Sequence, residues 1–254
     1  MPQFAANLTF LFTELPMLDR FAAARDAGFT GAEILFPYDL AAAELRAAAR
    51  EAGLEMVLMN TPPPNWAGGP RGFAAVPGGE ERFRRDFDRA LRFSQALNMR
   101  HIHVMSGMGS GEDARKTLIS NLKWAVRRAP HASLTIEPIS EIALPGYYLN
   151  NLALAAEIIE AVGSPALGLQ FDAFHVQMTE GDVPGSWARY GALVRHVQIA
   201  GAPGRNEPAR GGPIDFPGFF EAVDASGYRG WIAAEYNPVR TTESGLRWLS
   251  EALR

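Results

Sequence analysis

The sequence contains no cysteine. Disulfides, thiolate nucleophiles and cysteine-ligated zinc are therefore excluded. It also lacks an excess of positive charge, because 24 Lys and Arg residues stand against 28 Asp and Glu residues and the formal net charge is -4. A surface that binds nucleic acid needs positive charge to neutralise phosphates, so this balance argues against a nucleic-acid partner.

Long apolar runs are absent as well. No stretch approaches the roughly 18 consecutive apolar residues of a membrane-spanning helix, which argues against a membrane partner. The first residues, MPQFAANLTFLF, lack the basic segment and the long apolar segment of a signal peptide. We therefore expect a cytoplasmic protein.

Short apolar runs alternate along the chain with longer segments that carry apolar residues at helical spacing. The short runs predict eight strands, at 4–10, 31–36, 55–61, 101–107, 133–139, 167–174, 194–201 and 230–236. The longer segments predict helices at 17–27, 40–52, 80–97, 112–129, 152–162, 184–191, 216–226 and 241–253. Eight such alternations predict a (β/α)8 TIM barrel in a single domain, residues 1–254.

An open, Rossmann-like sheet is the alternative fold. It usually carries the pattern G-x-G-x-x-G after its first strand. In this sequence the nearest match is Gly107, Gly109 and Gly111, which have a different spacing. The pattern of the chain therefore favours the barrel.

One loop of the predicted barrel is unusually long. Residues 60–79, NTPPPNWAGGPRGFAAVPGG, follow the third predicted strand and include Trp66, Arg71 and Phe73. Most connections of this kind have about 2–6 residues, and a long one is usually functional or disordered. We interpret the segment as a lid over the mouth of the barrel, with a plain surface loop as the alternative.

Four successive strands each place an oxygen-bearing side chain near their carboxyl ends, where TIM barrels carry their chemistry. These residues are Glu137, Asp172, Gln198 and Glu235. Each alone is typical of a solvated charge or a structural hydrogen bond. Three carboxylates that converge on one mouth repel each other unless a cation or protons neutralise them. Hard oxygen ligands suit Mg²⁺ or Mn²⁺, so the pattern predicts a divalent metal site made of these four residues.

A metal site of this kind suits proton transfer next to a carbonyl. A divalent ion can hold a carbonyl and an adjacent hydroxyl and stabilise the charge that develops when the C–H between them loses its proton. Glu137 and Glu235 belong to the fifth and eighth strands, on opposite sides of the mouth, and are the candidate acid–base pair. The pattern therefore predicts 1,2-isomerisation or 3-epimerisation of a hydroxy-ketone through an enediolate.

Other polar residues near the predicted mouth are candidates for substrate contacts. His175 follows Asp172 by three residues and can donate a hydrogen bond to an enediolate oxygen. His103 is a better candidate than His101 because it lies closer to the end of its strand. His196 points to the same side as Gln198, and we interpret it as structural. Cations that can hold a substrate carboxylate are Arg71 and Arg205.

Taken together, several sequence blocks resemble the hydroxypyruvate isomerase family of xylose isomerase-like TIM barrels. They are FAANLTFLFTELP, GAEILFPYD, NTPPPNWAGGPRGFAAVPG, HVMSG, IEPI, LPGYYLN, GLQFDAFHVQMTEGD, HVQIAGAPGRNEP and GWIAAEYNP. The resemblance covers nearly the whole chain. It implies a metal held by Glu137, Asp172, Gln198 and Glu235, with Glu137 and Glu235 as the acid–base pair. It also implies that His175, Arg205 and His103 line the substrate pocket.

The resemblance implies an aldose–ketose isomerase that interconverts hydroxypyruvate and 2-hydroxy-3-oxopropanoate (tartronate semialdehyde). A 2-oxo-tetronate isomerase or a ketose 3-epimerase would use the same metal site. A metal-dependent endonuclease and a barrel without catalytic activity are alternatives from other classes. Related barrels make a homodimer plausible by analogy.

Overall fold

The computed structural model describes residues 3–62 and 70–253 and places its strands in one parallel sheet. The strands are β1 (Gln3–Asn7), β2 (Gly31–Glu33), β3 (Glu55–Met56), β4 (Leu58–Asn60), β5 (His101–His103), β6 (Ser133–Ile136), β7 (Leu167–Asp172), β8 (Val194–Ile199) and β9 (Trp231–Ala234). The order of the strands in the sheet is β3-β2-β1-β9-β8-β7-β6-β5-β4.

The third predicted strand closes this sheet into a barrel. This strand consists of two segments, β3 and β4, with Val57 between them. β3 pairs with β2 and β4 pairs with β5, so the two ends of the sheet belong to one continuous stretch of chain. The Val57 N–H donates to the Ala32 carbonyl at 2.8 Å, and the Val57 carbonyl accepts from the His101 N–H at 2.9 Å. The prediction of an eight-stranded TIM barrel is therefore confirmed.

With the exception of α6 (Ala173–Thr179), the helices follow the strands as the pattern predicts. They are α1 (Arg20–Asp26), α2 (Ala42–Ala52), α3 (Glu80–Leu97), α4 (Gly111–Arg128), α5 (Leu152–Val162), α6 (Ala173–Thr179), α7 (Val183–Tyr190), α8 (Phe216–Ala225) and α9 (Arg247–Ala252). Among the described residues, no helix is long and apolar enough to cross a membrane. The apolar stripes of these helices cover the outer face of the barrel. Phe83 and Phe87 of α3, for example, pack edge-on against Trp124 of α4.

Helix α6 departs from the sequence prediction, which extended the sixth strand to Phe174. The strand ends at Asp172 and the helix begins at Ala173. The Asp172 carboxylate accepts a hydrogen bond from the Phe174 N–H at 2.8 Å and thereby caps the helix. The apolar residues Phe174 and Val176 are buried residues of this helix and do not belong to the sheet.

The predicted lid lies partly outside the described residues, because 63–69, including Trp66, are not described. The described remainder packs on the loop after β5. The Ala75 N–H donates to the Ser106 carbonyl at 2.7 Å. Gly72 has a φ of +97°, and a Cβ there would lie 2.3 Å from the Met105 carbonyl oxygen, so only glycine fits. Whether the segment acts as a lid stays a prediction.

Helix α5 gives a direct test of local sequence signals. Its N-cap residue, Asn151, accepts a hydrogen bond from the Leu154 N–H at 2.9 Å. We expect Asn151→Ala to lower the free energy of unfolding by about 1 kcal/mol, measured by urea denaturation, because this backbone donor loses its partner. Ser110→Ala is the control, since Ser110 caps α4 without a side-chain hydrogen bond. Equal losses in the two variants would contradict the assignment of the cap.

Candidate active site

Each of the eight barrel strands has a buried polar side chain at its carboxyl end or within one residue of it, and these side chains lie at the carboxyl-terminal mouth of the barrel. They are Asn7, Glu33, Asn60, His103, Glu137, Asp172, Gln198 and Glu235. The most exposed of them, Glu137 and Glu235, are only 5% exposed. Strand register aligns neighbours, since Asn7 pairs with Glu33 and Asp172 pairs with Gln198. Burial of so many polar groups at one end of a barrel is typical of an active site.

Sequence reasoning found five of these eight positions and missed Asn7, Glu33 and Asn60. Each of the three ends a strand of the first half of the barrel. The signal that identified Glu137, a polar residue that closes an apolar strand, was hidden at Asn7 and Glu33, because the predicted strands 4–10 and 31–36 continue past them. Asn60 was seen only as the start of the long loop.

The carboxylates that were predicted as metal ligands lie close together. One oxygen of Glu137, one of Asp172 and one ring nitrogen of His175 all lie within 4.8 Å of one another. Gln198 donates a short hydrogen bond from Nε2 to Glu235 Oε2. Arg205 bridges the group, because its Nη2 contacts both Glu235 Oε1 and, at 3.4 Å, Asp172 Oδ2. The fold thus brings all four predicted ligands into one cluster with Arg205.

Burial and mutual repulsion set the electrostatics of this cluster. Burial raises the pKa of Glu137 well above its ordinary value, and the charges of Glu235 and Asp172 raise it further. Burial likewise raises the pKa of Glu235, although Arg205 acts in the opposite direction. Burial alone would lower the pKa of the Arg205 guanidinium, but the surrounding carboxylates outweigh it and raise that pKa. Burial and repulsion therefore both act against the charged forms of the two glutamates, and a further cation would act in their favour.

This donor set fits a hard divalent cation. Carboxylate and amide oxygens are the ligands of Mg²⁺ and Mn²⁺, and three carboxylates with a single arginine leave a net negative charge for the ion to neutralise. Gln198 Oε1 accepts one hydrogen bond, from Gln170 Nε2 at 2.7 Å. A carbonyl oxygen has two lone pairs, so a second one is left for an ion.

His175 faces the same carboxylates and presents a hydrogen-bond donor to them. The Ser140 N–H donates to His175 Nδ1 at 3.3 Å. Burial lowers the pKa of His175 to about 4, so the ring is neutral and its one proton belongs to Nε2. His175 Nε2 lies 3.5 Å from Asp172 Oδ2 and 3.8 Å from Glu137 Oε1. A protonated nitrogen does not ligate a metal, and this geometry favours the predicted role of His175 as a hydrogen-bond donor.

His103 and Arg205 both carry buried atoms with spare hydrogen-bonding capacity. His103 Nδ1 lies 3.1 Å from Asn60 Oδ1 and 3.5 Å from Glu137 Oε2. Within the described ranges, His103 Nε2 and Arg205 Nε are buried and have no hydrogen-bond partner. Buried polar atoms are almost always paired, so both atoms are available to a ligand of the site.

The two predicted arginines differ in position. Arg205 is flanked by aromatic rings, with its guanidinium carbon 5.5 Å from the centre of the Phe10 ring and 5.2 Å from that of Phe174. Arg71 is exposed and lies over the Phe36 ring at 5.8 Å. In the part of the chain that the structure describes, Arg71 makes no hydrogen bond to the carboxylate cluster. The structure therefore brings Arg205, and not Arg71, into the cluster.

A second, deeper network of polar residues supports the cluster. His196 Nε2 lies 2.7 Å from Glu33 Oε2, which agrees with the structural role we expected for His196. Burial raises the pKa of Glu33 to about 7 and lowers that of His196 to about 3. Gln170 of β7 donates to both Glu137 and Gln198. Glu33 and Gln170 were not among the residues that the sequence predicted for the site.

A TIM barrel whose mouth holds buried carboxylates, an amide and neutral histidines defines the class of this protein, and the comparisons with known proteins agree. The family described as xylose isomerase-like TIM barrel matches residues 21–252. The chain therefore belongs to this family, and within it to the hydroxypyruvate isomerase and 2-oxo-tetronate isomerase group that the resemblance predicted.

Three similar proteins illustrate the comparisons. The chain is 44% identical to a 2-oxo-tetronate isomerase of Cupriavidus necator, over 100% of this chain and 99% of the relative. It is 38% identical to a hydroxypyruvate isomerase of Escherichia coli, over 98% of each. A crystal structure described as AP endonuclease, family 2, from Brucella melitensis superposes with a TM-score of 0.95 at 39% identity and covers 99% of both chains.

The buried histidines predict a dependence of stability on pH. Burial, together with the neighbouring His196, lowers the pKa of His101 to about 3. The ring thus stays neutral in the folded protein, whereas the unfolded chain takes up a proton near pH 6.5. The stability that this difference provides is present above pH 6.5 and is lost as pH falls toward 3.

We therefore expect the unfolding free energy to fall less between pH 7 and pH 5 in His101→Gln than in the wild type. The difference between the two losses should be on the order of 2 kcal/mol. Urea denaturation at the two pH values measures this difference. The exposed His131 provides the control variant, His131→Gln. An unchanged pH slope in His101→Gln would show that this ring does not contribute.

Proposed function

We propose that this protein is a metal-dependent isomerase of short 2-oxo hydroxy acids, with hydroxypyruvate as its substrate and 2-hydroxy-3-oxopropanoate as the product. The observation that carries the proposal is the convergence of Glu137, Asp172 and Glu235, all buried, at the mouth of the barrel. The relatives named hydroxypyruvate isomerase support the choice of substrate.

A second substrate has its own support. Relatives named 2-oxo-tetronate isomerase are 44% and 42% identical to the chain. A 2-oxo-tetronate carries the same 2-oxo acid and neighbouring hydroxyl, with one more carbon. The proton transfer is the same in both substrates, so only the room beyond C3 separates them.

The proposed reaction moves one proton between neighbouring carbons. One glutamate removes a proton from C3 of hydroxypyruvate, and a proton is returned to C2, while the hydroxyl proton passes from the oxygen on C3 to the oxygen on C2. We assign the two carbon-bound proton transfers to Glu137 and Glu235. Their raised pKa values suit this role, because a buried carboxyl whose pKa lies above its ordinary value holds an abstracted proton more readily than a solvated one does.

The residues that would hold the ion are Glu137, Asp172, Gln198 and Glu235. When bound, Mg²⁺ or Mn²⁺ stabilises the negative charge that develops on the substrate oxygens. We assign Arg205 Nε and His103 Nε2, which have no partner in the described ranges, to substrate oxygens. We assign the His175 Nε2 proton to the oxygen on which charge develops. Arg205 is our candidate for the substrate carboxylate, and the exposed Arg71 would need the long loop to bring it there.

The acid–base pair is testable by hydrogen exchange. In D₂O with Mg²⁺ or Mn²⁺, we expect the protein to incorporate deuterium into hydroxypyruvate and to form 2-hydroxy-3-oxopropanoate, followed by proton NMR. Glu137→Gln and Glu235→Gln should each lower the exchange rate by about 10²–10⁴-fold, since an amide cannot take up the proton.

The control is Glu160→Gln, because Glu160 is an exposed carboxylate on α5. Exchange at the wild-type rate in either active-site variant would remove that glutamate from the acid–base pair. Exchange only with 2-oxo-tetronate would keep the mechanism and change the substrate.

Metal affinity is expected to depend on pH. Because burial raises the pKa values of Glu137 and Glu235, these carboxyls hold their protons to higher pH than solvated glutamates do, and an ion must displace those protons. The dissociation constant for Mn²⁺ should therefore fall as pH rises from 6 to 8. Isothermal titration calorimetry in two buffers of different ionisation enthalpy measures the released protons. A constant affinity across this range would contradict the assignment of these glutamates as ligands.

The endonuclease description of the Brucella melitensis structure suggests another activity that the same preparation can test. The net charge of -4 disfavours binding to a DNA backbone. We expect no cleavage of a duplex with an abasic site under conditions that support isomerisation. Efficient cleavage would replace the isomerase proposal. The homodimer that related barrels suggest also stays a prediction.

A further inference from the structure

Glu33 is a mouth residue with three side-chain partners, and the proposed reaction does not use it. It ends β2, and its side chain is fully buried. Its Oε1 accepts hydrogen bonds from Asn7 Nδ2 at 2.7 Å and from Gln198 Nε2 at 2.9 Å, and its Oε2 faces His196 Nε2. Burial of a carboxylate costs desolvation free energy, so a specific role for Glu33 is expected.

The two amide groups that bind Glu33 also bind Glu235. Asn7 Nδ2 donates to Glu235 Oε2 at 2.9 Å, and Gln198 Nε2 donates to the same oxygen. Each NH₂ group therefore spans Glu33 and Glu235 with its two hydrogens. The two carboxylates are held side by side, and neither amide can turn over without placing its oxygen against them.

This arrangement fixes which atom of Gln198 faces the rest of the cluster. With Nε2 held by Glu33 and Glu235, Oε1 lies on the side of Gln170, which donates to it at 2.7 Å. Gln170 is itself oriented, because its Oε1 accepts from Thr135 Oγ1 at 2.9 Å and its Nε2 also donates to Glu137 at 3.1 Å. A metal binds an amide only through oxygen, so the orientation of Gln198 decides whether it is a ligand.

From this geometry we propose that Glu33 is a positioning residue, which orients the Gln198 amide so that its oxygen serves the metal and which holds Glu235 beside it. The inference rests on the metal site of the proposed function. Outer partners of metal ligands typically contribute 10–100-fold to metal affinity.

The test measures Mn²⁺ binding to the whole protein without substrate, by electron paramagnetic resonance of the free ion. Glu33→Met keeps the length of the side chain and removes both acceptors, so we expect the dissociation constant to rise at least about tenfold. Glu33→Gln keeps one oxygen that can accept from both amides. The NH₂ of this glutamine can donate to His196 Nε2 if the ring proton of His196 moves from Nε2 to Nδ1. His196 Nδ1 has no partner among the described residues, so it is open to that proton. We expect a change within about threefold for this variant.

Thr30→Val controls for a general loss of stability, because Thr30 precedes the same strand at the opposite end of the barrel and pairs with Trp231 Nε1. Thermal denaturation followed by circular dichroism checks that each variant is folded. Wild-type affinity in Glu33→Met would overturn the inference. Equal weakening in Glu33→Met and Glu33→Gln would also overturn it, because charge and not orientation would then be the cause.

The outcomes separate this inference from the proposed function. If the wild type binds Mn²⁺ but isomerises neither hydroxypyruvate nor 2-oxo-tetronate, the reaction is wrong and the affinity series still decides the role of Glu33. If Glu33→Met binds Mn²⁺ normally and the wild type is active, only the inference fails. A wild type that binds no Mn²⁺ overturns both.

Discussion

The crowding of buried carboxylates at the barrel mouth is the constraint on which the rest of the site depends. Glu33, Glu137, Asp172 and Glu235 come from four different strands and are all at least 95% buried. Arg205 contacts Asp172 and Glu235, whereas among the described residues Glu33 and Glu137 have no Lys or Arg partner. Such a cluster persists only with bound protons, a bound cation or many hydrogen-bond donors, and the site makes provision for all three.

The amides and histidines around the carboxylates have roles that follow from this constraint. Asn7, Gln170 and Gln198 supply donors without adding positive charge. The histidines stay neutral because burial lowers their pKa values, so they orient carboxylates without neutralising them. These side chains therefore do not cancel the negative charge of the ionised carboxylates, which suits the proposed metal site made of oxygen ligands.

Much of this could be read in the sequence, for definable reasons. Apolar runs that alternate with helical segments predicted the barrel, and α3 and α5 begin and end where the pattern placed them. The strands were predicted too long, since apolar residues such as Phe174 and Tyr236 are buried beyond the ends of their strands. Helix α6 was missed because its cap, Asp172, has the same sequence context as a strand end.

The sequence by itself determined the fold class and the oxygen-bearing residues near the ends of the last four strands, because periodicity and polar residues after an apolar run are local properties of the chain. Only the tertiary structure decided how those residues combine. Asn7 and Glu235 are 228 positions apart, yet they share a hydrogen bond across the β1–β9 pairing. The importance of Glu33 likewise depends on partners from β1 and β8. Closure of the barrel creates such contacts, and no local pattern records them.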